Sequence, residues 1–71
     1  MGAPVKELVV ELADGIRTIF TTQGDIKTGT LKVFLNGLVD IQITKLPGRQ
    51  FEFNNGPPLD GDAVSAYYVK L

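Results

Sequence analysis

An all-β fold, a small antiparallel sandwich of six to seven short strands, is predicted by three features of this sequence. Val, Ile, Thr, Phe and Tyr supply 24 of the 71 residues, the set favoured on a pleated, half-buried surface. Apolar and polar residues alternate with period two along most of the chain. Turn signals punctuate that alternation, among them Asp14-Gly15, Asn36-Gly37, Leu46-Pro47-Gly48 and Asp60-Gly61-Asp62, as in a sandwich or small barrel.

Residues 4–12 place Leu8, Val10 and Leu12 on one face and Val5, Glu7, Val9 and Glu11 on the other. The glutamates mark the second face as outward. A short helix over 5–13 (Val5, Leu8, Val9, Leu12) is the competing reading, and the β-branched content favours strand. Residues 16–22 direct Ile16, Thr18 and Phe20 inward and Arg17, Ile19 and Thr21 outward. Residues 30–35 gather Leu31, Val33 and Leu35 inward, with Lys32 and Phe34 opposite. Asn36-Gly37 follows at once, and Val39, Ile41 and Ile43 resume the alternation. Asn-Gly between alternating runs predicts a hairpin, because both central residues of a type I′ turn need positive φ. Phe51 and Phe53 bracket Glu52 in a short strand, and 54–62 is too rich in turn residues for a regular element. The last strand, 63–70, sets Val64, Ala66 and Tyr68 on one face and Ser65, Tyr67 and Val69 on the other.

Composition narrows the function classes. The net charge is −1, with 7 basic and 8 acidic side chains, so the clustered basic surface of a nucleic-acid-binding protein is not expected. There is no cysteine and no histidine. A disulfide scaffold, an imidazole or thiolate metal site, a cysteine nucleophile and a histidine base are thereby excluded. The serines and threonines have no activating base in pattern, and neither an enzyme nor a cofactor is expected. No apolar run approaches the ~20 residues of a membrane helix. No basic stretch precedes an apolar one at the start, so neither a signal peptide nor a membrane partner is expected. Asp60-Gly61-Asp62 lacks the spacing of a calcium loop and reads as a turn whose carboxylates bond main-chain amides. Lys27, Lys32, Lys45 and Lys70 are dispersed and read as solvated surface.

The order of these segments resembles a β-sandwich module that recurs in bacteriophage tail fibres and other virion structural proteins. Asp14-Gly15-Ile16-Arg17-Thr18-Ile19-Phe20-Thr21 is similar to its first strand. Gly29-Thr30-Leu31-Lys32-Val33-Phe34-Leu35-Asn36-Gly37-Leu38 is similar to its hairpin. Phe51-Glu52-Phe53, Pro57-Pro58, Gly61-Asp62 and Tyr67-Tyr68 follow in the module's order. The resemblance spans about residues 14–70. It departs at Val39-Asp40-Ile41-Gln42, which runs on where the module carries a Tyr-containing insertion. The resemblance implies an immunoglobulin-like sandwich acting by assembly in the virion. One domain over 1–71, opening at a Met, leads to the expectation of a free-standing decoration of the capsid or a tail component. Its expected partners are other virion proteins and further copies of itself.

A domain of this size buries only about 60% of its unfolded surface, so covering by neighbours is a natural supplement. The outward positions Phe34, Tyr67, Val69, Val9 and Ile19 are the candidate contacts, with the aromatics as anchors. Asn36 and Gly37 form the structural turn. Met1–Glu7 is expected to pair within its own subunit. The alternative reading is a carbohydrate-binding or host-adhesion module of a tail appendage, which would stack sugars on Tyr67 or Phe34, with Thr28, Thr30, Thr44 and Ser65 as polar contacts.

Overall fold

Seven strands form two antiparallel sheets in a computed structural model that describes residues 4–37 and 39–71 and, for Val39 and Asp40, the main chain alone. They are β1 (Pro4–Leu8), β2 (Ile19–Thr21), β3 (Lys32–Leu35), β4 (Val39–Ile41), β5 (Ile43–Lys45), β6 (Gln50–Phe53) and β7 (Val64–Val69). Four build one sheet in the order β1-β7-β3-β4, and three build the other in the order β2-β6-β5. β3–β4 and β5–β6 are hairpins, and every other connection crosses between the sheets.

The expected inward faces meet between the sheets. The three-stranded sheet contributes Phe20, Phe51 and Phe53, whose ring centroids lie 5.3–6.3 Å apart. The four-stranded sheet contributes Val33, Val64, Ala66 and Tyr68, all buried. Large rings on one layer thus face mostly small or branched side chains on the other, which keeps the interior dense. No buried side-chain N or O among the described residues lacks a hydrogen-bond partner.

Three elements differ from the sequence-based expectation. The first is the register of β1. Val9 is 6% exposed and belongs to the core, with Val5 packed against it, whereas Leu8, Val10 and Leu12 are exposed. The helix reading falls too, since Pro4–Leu8 pairs with β7 from Pro4–Val69 to Leu8–Ser65. The glutamates misled because they are bonded rather than solvated. Glu7 Oε2 accepts the Gln23 amide and the Tyr68 hydroxyl, each at 2.9 Å. Glu11 accepts the Thr21 amide and hydroxyl, each at 2.7 Å. Beyond β1 the chain bridges the layers: the Val9 amide donates to Val64 O and the Val10 amide to Thr21 O. The expected pairing of the N-terminal segment within its own subunit holds for residues 4–8; Met1–Ala3 lie outside the described residues.

The second difference is at Gln42. The alternation through Ile41 and Ile43 reads as one strand, yet β4 lies in one sheet and β5 in the other. Both isoleucines still pack against the core, so the chain turns a corner without changing its apolar face. The inward place expected for Val39 lies outside the described residues. Third, Ile16, expected inward, is 82% exposed, because residues 13–18 form a connecting loop. Asp14 Oδ1 caps that loop by accepting the Ile16 and Arg17 amides.

The hairpin at 36–37 forms as expected. Asn36 (φ 53°) and Gly37 (φ 75°) both have positive φ, and the register closes on Leu35–Val39. Asn36 also ties the hairpin to the long loop: its Oδ1 accepts the Ala63 amide and its Nδ2 donates to Asp62 Oδ1. Asn36→Ala should therefore cost about 1–2 kcal/mol, through left-handed strain and two lost side-chain bonds. Urea unfolding checks this, and a change below 0.3 kcal/mol would refute it, roughly the noise of a surface substitution. Asp62 Oδ2 accepts the Leu59 amide, as the turn reading of Asp60-Gly61-Asp62 required.

Candidate docking surface

β7 runs through the middle of the four-stranded sheet and decides what that sheet shows to solvent. Its inner side chains are Val64, Ala66 and Tyr68, so Ser65, Tyr67 and Val69 face outward. Register then places neighbours beside each. Tyr67 lies between Lys6 of β1 and Lys32 of β3, and Ser65 between Leu8 and Phe34. Val69 lies opposite Pro4. Tyr67 is 41% exposed, whereas Ser65 is buried despite its outward position. Leu8 and Phe34 flank it, and its hydroxyl lies 3.5 Å from Phe34 O. The Lys6 ammonium stands 5.0 Å from the Phe34 ring centroid. Such a cation–π contact at a wet surface is worth about 0.5–1 kcal/mol.

Three of the five candidate contact residues, Phe34, Tyr67 and Val69, therefore share this face. Val9 is corrected: it faces the interior and offers nothing to a partner. Ile19 is 37% exposed but sits on the opposite sheet, with Glu52 and Thr44 across from it. It cannot join the same contact.

The structure also exposes apolar residues that the sequence reading placed inside: Leu8, Val10, Leu12 and Ile16 are all more than half exposed, as is Leu59 in the turn-rich 54–62 segment. Leu8 and Leu12 line one shallow depression with Ala13, Ala63 and Val64. Gly15 approaches the main chain at Asp60, which brings the loops carrying Ile16 and Leu59 together. Leu8 belongs to both regions, so apolar surface continues from the sheet face toward this end of the sandwich. Little in the sequence warned of this, since the glutamates share a face with Val5 and Val9 while Leu8, Val10 and Leu12 share the other.

Electrostatics here are local. Burial pushes the Glu11 carboxyl up, but the hydrogen bonds from Thr21 outweigh it and hold the group below its ordinary value. The Arg17 and Ile16 amides hold Asp14 below its ordinary value. No three His, Cys, Asp or Glu side chains converge as metal ligands among the described residues. Among the described residues, no helix is long and apolar enough to cross a membrane.

No protein-family model matches the chain, and no curated protein or solved structure is significantly similar to it.

Proposed function

We propose that this chain is a structural protein of a bacteriophage particle that docks on its neighbours through the outer face of the β1-β7-β3-β4 sheet. The reading rests on the resemblance of residues 14–70 to the virion module and on one structural observation. Tyr67 stands exposed between Lys6 and Lys32 on a sheet face that also carries Leu8, Phe34 and Val69, and apolar side chains rimmed by polar ones mark interaction sites. The mechanism is burial. A capsid or tail protein, or a further copy of the chain, covers the face, and Tyr67 supplies the anchor.

Tyr67→Glu tests it. The side chain points away from the core, so the β-rich circular dichroism should be unchanged while incorporation into particles falls at least tenfold, about 1.4 kcal/mol. Mass spectrometry of intact virions reads the outcome. Wild-type chain missing from the virion, or a variant that incorporates normally, would overturn the assignment. The exposed tyrosine on a flat face also fits a sugar-stacking platform, and glycan-array binding lost in Tyr67→Ala would favour that second reading.

A further inference from the structure

The corner at Gln42 leaves a notch in one side of the sandwich. After Ile41 the chain departs for the other sheet, so β4 covers β3 only at 33–35. Leu31 continues past that cover. In the other sheet, β5 is the outermost strand. The Leu46 amide bonds Gln50 O and the Asn54 amide bonds Gln42 O. Alternation between these pairs makes Thr44–Glu52 the next bonded pair and aims the main-chain groups of Ile43 and Lys45 away from β6. Among the described residues, no main-chain partner meets those of Leu31, Ile43 or Lys45 on that side. Between the two uncovered edges lies an open cleft of about 450 Å³, lined by Ile26, Leu31, Ile43, Thr28, Lys45 and Gly48.

We infer that this notch accepts an extended, acidic–apolar segment of a partner protein, which adds a strand to the free edge of β5. An unpaired edge is a template for strand addition, and alternate side chains of the added strand would drop into the cleft. Charge selects the occupant. Lys45 is the charged residue of the cleft lining, and the neighbouring segments 22–31, 46–49 and 69–71 add Lys27, Arg49 and Lys70 against one acidic side chain, Asp25. Lys45 holds its ammonium over the turn, bonded to Leu46 O and Gly48 O, with no acid beside it among the described residues. A lysine on an edge strand opposes pairing with a second copy, whereas glutamates on an incoming strand would meet it favourably. Two of the other edges are less open: β1 begins at Pro4, which has no amide hydrogen to offer, and the Val10 amide and Glu11 carboxylate occupy the rim of β2. This inference is independent of the sheet-face docking proposed above.

Hydrogen exchange on the 15N-labelled full chain tests it, with three acetylated peptides as probes: alternating Val and Glu, alternating Val and Lys, and the Val/Glu peptide carrying a central proline. The Val/Glu peptide should slow exchange at the Ile43 and Lys45 amides. It should bind at least about tenfold tighter than the Val/Lys peptide and weaken with salt. The proline peptide should fail, since it cannot complete the ladder. Lys45→Glu, at an exposed position, should fold normally and shift the preference toward the Val/Lys peptide. Ile43 and Lys45 amides already slow in the dilute free chain would overturn the inference. So would protection that grows with protein concentration, which would make the occupant a second copy, and so would equal binding of the two charged peptides.

Discussion

Phe51→Ala is expected to cost about 3–5 kcal/mol of folding stability, the range for truncating a buried phenylalanine. Phe51 is fully buried and central to its sheet, with Phe20 across β2 and Lys45 across β5. Its ring lies 6.1 Å from that of Phe20 and 6.3 Å from that of Phe53. Removing it opens a void beside the two remaining rings, and both are held by strands of three or four residues. A domain this small stands near the low end of the usual ~5–15 kcal/mol range, so the variant should be largely unfolded at 37 °C. Phe51→Leu should lose far less, because most of the volume remains. Urea denaturation compares the two, and a cost below 1 kcal/mol for Phe51→Ala would show that the three rings are not the centre of the interior.

Tyr68→Phe is expected to lower stability by about 1–3 kcal/mol, through two hydrogen bonds lost at a buried position. The hydroxyl donates to Glu7 Oε2 and accepts the Gly24 amide, each at 2.9 Å. It thereby clamps the loop after β2 onto β1 and β7. Gly24 packs close against it, since a Cβ at that position would come within 3.1 Å of the hydroxyl oxygen. Burial raises the Tyr68 pKa, and the neighbouring Glu7 raises it further. A raised folded pKa gives stability that is complete below the ordinary value of 10.0 and is lost as pH climbs through the folded value. The wild type should therefore weaken above pH 10, and Tyr68→Phe should lack that part of the decline. The acid limb has the opposite sign. Glu11 and Asp14 titrate below their ordinary values of 4.5 and 3.8, so their contribution is present above those values and fades as pH falls. Urea midpoints across pH 3–11, for wild type and variant, would show both limbs.

Much of the fold was legible in the residues because one face of most strands is unambiguous. Phe20, Phe51, Phe53, Val33, Val64, Ala66 and Tyr68 alternate with polar or exposed neighbours, and all are buried. Asn36-Gly37 demanded two positive φ values, and both are present. Residues 4–12 misled because the face that carries Val5 and Val9 also carries Glu7 and Glu11, while the opposite face is wholly apolar at Leu8, Val10 and Leu12. What decides between them is the hydrogen bonding of Glu7 and Glu11 to Gln23, Tyr68 and Thr21, partners at least ten positions away in the chain. The corner at Gln42 left no trace in the pattern, since a strand that changes sheets keeps the same inward side chains. For the candidate surface, outward parity located Phe34, Tyr67 and Val69. Assigning Ile19 to the same patch failed because parity says which way a side chain points, not which sheet carries it.

Pro4 faces Val69 at the end of the β1–β7 ladder, which fixes how the molecule meets mechanical load. Tension applied at these two points acts across the ladder rather than along it. The bonds between β1 and β7 would then part singly, like the teeth of a zip, instead of resisting together. Single-molecule stretching from positions 4 and 69 should yield at low force, whereas tension applied at 8 and 69 would load the same ladder in shear and meet much greater resistance.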